Sequence, residues 1–207
     1  FDLLGSGPVV VEHGMACAGF RGITYPVHPP PADPALALNP VNRVRARAVR
    51  DLIGAGYRPI DWQLDFKSGF RWREGRGAGT IRIGHEPGID VKVPWELARM
   101  QHLLPLAWGF ILAASGEDGF EAPGTYAAEF RNQVLDFTAA NPPRFGVNWA
   151  CTMDVAIRSA NLVLAFGLFR RHGCGFDGAF EGEFAATLQS HRRPLPPTPD
   201  SPPGRHP

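Results

Sequence analysis

Three groups of residues in this chain combine types and spacings that chemistry can use. The first is Pro94-Trp95-Glu96-Leu97-Ala98-Arg99, followed by His102. Glu96 and Arg99 are three apart, so on a helix they share a face and can pair. Trp95 beside them is an aromatic platform, and a platform next to charged hydrogen-bonding groups suits a sugar-binding cleft. The same spacing also fits a surface ion pair beside a buried tryptophan. The second group is Asn148-Trp149, Met153-Asp154, Arg158 and Asn161. Asp154, Arg158 and Asn161 recur at i, i+4 and i+7, one polar stripe on a helix that is otherwise apolar. An arginine on such a stripe can hold a carboxylate through two parallel N–H bonds. A solvated face with an i,i+4 salt bridge is the plainer reading. The third group is Asp61-Trp62, Asp65, Ser68-Gly69 and Trp72. Two acids can divide acid–base work, but nothing in the spacing fixes their separation, and a loop pinned by aromatics fits equally.

Other chemistries find no support. His13, His28, His85, His102, His172, His191 and His206 show no ligand spacing, so no metal is expected. No nucleophile elbow, phosphate loop or dinucleotide fingerprint is present, and no cofactor is expected. Cys17, Cys151 and Cys174 are too far apart in sequence for a disulfide scaffold or a paired-cysteine zinc site. Arg43, Arg45, Arg47 and Arg50 read first as a solvated face, though an acidic polymer could use them.

Positioning these groups requires a folded core, and the chain can supply one. Its 207 residues are 44% hydrophobic and 20% charged, which suits one globular domain. The charges nearly cancel, at +1, so a strongly basic nucleic-acid binder is not expected. No continuous apolar run reaches about 18 residues, so no membrane-spanning helix is expected. The chain begins at Phe1 with no initiator Met or signal peptide, which reads as a processed chain or a fragment.

The pattern along the chain is mostly helical. Pro40 to Ala55 reads as a helix capped by Asn39 and stopped by Gly56, with Val44, Ala48, Leu52 and Ile53 inward. Residues 57–93 form a long glycine-rich connection, held in order by Trp62, Phe66, Phe70 and Trp72. Within it, Thr80 to Ile83 and Ile89 to Val93 could make a small hairpin, and Val9 to Val11 a short strand. Pro94 to Ser115 reads as one helical unit that Pro105 kinks or splits. Thr125 to Ala140 follows, with Tyr126, Phe130, Val134 and Phe137 inward. Asn148 to Arg171 is a long helix, with Met153, Ile157, Ala160, Leu164 and Leu168 expected to be buried. Phe176 to His191 carries Phe176, Phe180, Phe184 and Leu188 at intervals of four. Helices without βαβ alternation imply an all-α fold. The span 192–207 has seven prolines in sixteen residues and is expected to be a disordered tail.

Taken together, the blocks have a recognisable order. Phe1-Asp2-Leu3-Leu4-Gly5-Ser6-Gly7 comes first, then Asp61-Trp62 with Ser68-Gly69 and Trp72. Gly88 to Arg99 follows, then Gly146-Val147-Asn148-Trp149 with Met153-Asp154, Ala156-Ile157-Arg158 and Asn161. This succession resembles the N-terminal helical domain of the heparinase II/III-like family of bacterial polysaccharide lyases, over residues 1–191. The resemblance implies a partial (α/α) toroid, normally followed by a C-terminal β-sandwich domain, in a periplasmic or secreted protein. It implies an anionic, uronic-acid-containing polysaccharide such as a heparan-type or alginate-like chain as the partner. The implied reaction is β-elimination: a group neutralises the uronate carboxylate, a Tyr or His base removes the adjacent proton, and the glycosidic oxygen leaves. It further implies substrate-binding roles for Trp95, Glu96, Arg99, Asn148, Trp149, Asp154 and Arg158. Because both blocks begin at expected helix N-termini and mix Trp with ionisable groups, Trp95, Glu96, Arg99, Asn148, Trp149 and Arg158 are expected near one concave surface.

The chain also departs from that pattern. It holds no Asn-His dipeptide, which the family carries on a later helix, and after His191 the family character stops. Tyr25, Tyr57 and Tyr126 lie in no block that matches a catalytic motif. The expectation is a truncated or frameshifted binding part of a lyase, inactive by itself. The alternative is a non-catalytic helical module that binds acidic glycan or a partner protein.

Overall fold

The computed structural model of the chain describes residues 1–27 and 39–192. Among these the protein is all-helical, with no β-strand, only isolated bridges such as Glu12 with Ile60 and Gly77 with Phe145. The six α-helices are α1 (Arg43–Arg50), α2 (Lys92–Ala98), α3 (Leu103–Ala114), α4 (Pro123–Ala140), α5 (Thr152–Arg171) and α6 (Gly178–His191). Helix α3 lies against α4 and α5, α1 against α4, and α6 against α4 and α5. The expected tail from residue 193 onward, and the proline cluster at 29–34, lie outside the described residues.

Where apolar residues alone decide burial, the pattern and the fold agree. Phe130, Val134 and Phe137 of α4 are buried, and Tyr126 packs against the same core. Phe180 and Phe184 of α6 are buried, with Phe176 and Leu188 beside them. These aromatics converge: the Phe130 ring lies 4.8 Å from Phe169 and 5.6 Å from Phe176, centroid to centroid. Offset and tilted aromatic pairs of this kind add to the burial of their area. Asp177 caps α6 by accepting from the Phe180 N–H at 3.0 Å, which satisfies one orphan donor of the first turn.

Several expectations are corrected. In α5, Met153 and Leu164 are 60% and 56% exposed, Ala160 is also exposed, and Ile157 and Leu168 are only half-buried. The buried side is Asp154, Val155, Arg158, Asn161, Leu162, Ala165 and Phe169. The helix is turned because its polar stripe finds hydrogen-bond partners inside the protein, which offset part of the cost of burying it. In α1 the buried residues are Ala46 and Val49, while Val44 and Ala48 face solvent. Asn39 does cap, but it caps a 3-10 turn, Pro40–Asn42, that leads into α1, and α1 ends at Arg50 rather than at Ala55.

The unit from Pro94 to Ser115 is two helices, and the break is not at Pro105. Buried Met100 adopts a left-handed conformation (φ 57°) that turns the chain between α2 and α3. Pro105 then falls in the first turn of α3, where its missing N–H has no intrahelical partner to lose. The expected hairpin does not form. Ala78–Thr80 is a 3-10 turn, and Val93 belongs to α2. Val9 to Val11 forms no strand either, although Val11 is buried.

By length and mean hydropathy (1.3), α5 is the one described helix that meets the criterion for crossing a bilayer. Its inner side, however, buries Asp154, Arg158 and Asn161 in contacts with other segments of the protein. That is the signature of a core helix with a protein interface along it.

Candidate functional site

The connection 57–93 is organised by its two acids. Asp65 accepts from the Ser68 hydroxyl at 2.6 Å, from the Lys67 N–H at 3.0 Å and from the Asp90 N–H at 3.0 Å. It thereby draws the start of α2 onto the loop. Asp61 accepts from Arg71 Nε at 2.9 Å, and His13 Nδ1 lies 3.3 Å away. Burial pushes the Asp61 carboxyl up, but His13 and Arg71 together hold it below the usual carboxylate range. Both acids are fully buried and spent on loop geometry. Of the two readings of this group, the structure has the pinned loop, with Trp62 and Trp72 buried.

The two tryptophan blocks meet at one junction. Trp95 donates its indole N–H to the Val147 carbonyl at 2.9 Å. Arg99 of the α2 C-cap donates to Asp154 at 2.5 Å and also pairs with Glu96. Asn161 donates to the Arg99 carbonyl at 2.8 Å, and Arg158 donates to the Ala98 carbonyl at 3.2 Å. The stripe of α5 thus caps the C-terminal end of α2, whose last carbonyls have no intrahelical donors.

Arg158 is the centre of this junction. It is fully buried, and it also donates to the Asn148 carbonyl at 3.1 Å and to His191 Nε2 at 2.8 Å. Its guanidinium lies 4.6 Å from the Phe137 ring centroid and 5.1 Å from that of Trp149. These faces attract the cation, yet burial still pulls Arg158 down to about 9. His191 is pushed down to about 3 by burial and by the adjacent Arg158 charge. Neutral His191 fits, because its Nε2 must accept from an arginine while Nδ1 faces the Thr187 carbonyl at 2.7 Å.

The residues chosen for substrate contact are therefore brought together, but not as an open cleft. Asn148, Trp149, Asp154 and Arg158 are buried, and Arg158, with each of its three nitrogens donating inside the protein, is out of a ligand's reach. The carboxylate grip expected of Arg158 is corrected on that ground. Trp95, Glu96 and Arg99 are half-buried and reach the surface. Arg99 there is held between two carboxylates, and although burial works against its charge, the Asp154 bond holds it charged.

Sequence reasoning missed a second polar layer beneath the junction. Gln63 donates to the Asn141 side chain at 2.6 Å, and Asn148 donates to the same oxygen at 2.9 Å and to the Trp62 carbonyl at 2.8 Å. Trp149 donates to the Asn141 carbonyl at 2.9 Å. It also missed Asp136, buried in α4, which accepts from Trp62 Nε1 and from the Ile60 N–H, each at 2.9 Å. Burial lifts Asp136 to about 6. A lone acid between Leu135 and Phe137 on an apolar face was the available signal.

None of the three tyrosines stands near the junction as a base. Tyr25 donates to the Pro87 carbonyl at 2.7 Å, Tyr57 to Asp136 at 3.3 Å, and the Tyr126 hydroxyl accepts from the Glu121 N–H at 3.1 Å. Burial and Asp136 push the Tyr57 hydroxyl up, away from proton abstraction. Compared with protein-family models, curated proteins and solved structures, the chain matches none.

Proposed function

We propose that this chain is the substrate-binding part of a polysaccharide lyase that cleaves uronic-acid-containing anionic polysaccharides by β-elimination, its helices forming part of an (α/α) toroid. The observation that carries the reading is the half-exposed edge of Trp95, Glu96 and Arg99, held in place by capping from α5. An indole beside a fixed guanidinium suits a sugar ring that carries a carboxylate. Glu96 competes for that guanidinium, so a uronate must displace or share it. The chain has no Asn-His pair and no tyrosine placed as a base, so it binds without turnover.

Affinity titrations of the purified chain with heparan sulfate, alginate and neutral dextran test this reading. Both anionic polymers bind and dextran does not. Glu96→Gln leaves the Arg99–Asp154 pair in place and strengthens binding by about threefold, because one competing carboxylate is gone. Arg99→Gln weakens it. Ultraviolet absorbance shows no unsaturated product. Absence of binding to both anionic polymers, or equal binding to dextran, overturns the reading.

A further inference from the structure

A cavity of about 590 Å³ opens between α1, the α4–α5 connection and α6, and Trp95, Glu96 and Arg99 are not part of its lining. Its volume falls within the usual range of small-molecule sites. Phe137, Pro142 and Trp149 supply apolar lining, and Arg45, Arg144 and Gln189 supply polar groups. Among the described residues, two arginines line it and no Asp or Glu does.

The two arginines differ in how they are held. Arg45 is 54% exposed and pairs with Glu183 at 2.9 Å, outside the lining. Arg144 is exposed and makes no ion pair among the described residues. Its backbone is left-handed, at φ 72°. That conformation is fixed by pairing of the two loops: the Ala78 N–H donates to the Arg144 carbonyl, and the Gly146 N–H to the Arg76 carbonyl, each at 2.8 Å. A glycine would adopt this conformation without strain. An arginine there bears a backbone cost and adds to the cavity's lining a cation with no ion pair among the described residues.

We propose that this cavity is a second saccharide subsite, taking one anionic sugar unit whose carboxylate or sulfate is held by Arg144, with Arg45 assisting, while the ring lies against the exposed Pro143. The inference rests on the anionic-polysaccharide reading above, but it concerns a different surface. Charge selects the ligand: a lining with two guanidinium groups and, among the described residues, no carboxylate favours an anion and gives a neutral sugar no equivalent partner.

The test is calorimetric titration of the full chain with three tetrasaccharides: a heparin fragment bearing sulfate and carboxylate, an alginate fragment bearing carboxylate alone, and neutral cellotetraose. Arg144→Gly removes the cation and relaxes the backbone, so it should fold at least as well as the parent. Arg45→Gln is the second variant. The expected result is binding of the anionic fragments, weakened about fivefold or more by Arg144→Gly and less by Arg45→Gln. Binding of both anionic fragments assigns the carboxylate as sufficient, and binding of the heparin fragment alone assigns the sulfate. Equal binding of cellotetraose overturns the subsite. So do unchanged affinities in both variants when Arg99→Gln weakens binding, and in that case the functional reading survives. If no anionic fragment binds, both fall.

Discussion

Replacing His191 by Gln should flatten the acid side of the stability curve. In the folded protein His191 accepts from Arg158 and faces the Thr187 carbonyl, so an added proton would set an N–H against a guanidinium N–H. Its folded value of about 3 lies well below the value of about 6.5 for a histidine in an unfolded chain. Between those limits the unfolded state binds one more proton. Stability from this group is therefore complete above pH 6.5 and is lost as pH falls toward 3. The full shift corresponds to a ceiling of about 5 kcal/mol, comparable to the entire stability of a small domain.

Two other buried groups titrate in the same window. His102, beside Gln133, is lowered by burial to about 4 and acts in the same direction, worth about 3 kcal/mol at most. Asp136, raised to about 6 by burial, acts oppositely: its contribution is complete below pH 4 and is lost as pH rises through 6, again about 3 kcal/mol. The histidines together outweigh it, so the protein should lose stability on acidification from pH 6.5 to 4.5. His191→Gln keeps an acceptor for Arg158 and gives up the bond to Thr187, costing about 1 kcal/mol at neutral pH. Urea unfolding followed by tryptophan fluorescence, repeated across this pH range, reads the effect, since Trp149 lies 4.8 Å from the His191 ring. The slope of stability against pH should fall by as much as about 1.4 kcal/mol per pH unit in the variant. Parallel curves for parent and variant would refute the linkage.

Two further outcomes test the fold. Leu162→Ala should cost about 2–5 kcal/mol because Leu162 is fully buried, whereas Leu164→Ala should stay within about 0.5 kcal/mol; equal costs in urea unfolding would mean that the phase of α5 is wrong. Gly69→Ala should lower the thermal midpoint and cost about 2 kcal/mol or more, since φ is +86° and a Cβ would sit 2.6 Å from the Tyr25 carbonyl oxygen; an unchanged midpoint would show that the loop is free to shift.

How far the residues alone could be read depended on where their partners lie. Helices α4 and α6 were readable because Phe130, Val134, Phe137, Phe180 and Phe184 are apolar and recur at helical spacing. Helix α5 was misread because its buried stripe is polar. Asp154, Arg158 and Asn161 look solvent-facing until Ala98 and Arg99, about sixty residues earlier, are seen to receive them. The turn at Met100 gave no local signal, since methionine has no preference for a left-handed backbone, whereas Pro105 gave a strong one that the first turn of α3 absorbs. The pairing of the Trp95 and Trp149 blocks was suggested by their composition. Its buried character was not, because Gln63 and Asn141, which complete the layer below, carry no motif.

The capping of α2 by α5 also has a kinetic consequence. Seven residues are too few for a helix to persist unaided in water. The Ala98 and Arg99 carbonyls at the end of α2 receive Arg158 and Asn161 only when α5 is docked, so the two segments open together. Their amides should exchange with solvent deuterium at one common rate, as a single cooperative unit. During folding, α2 should acquire protection only after the chain has closed the long loop that brings α5 to it. The edge that carries Trp95, Glu96 and Arg99 then comes into being in the same step as the core.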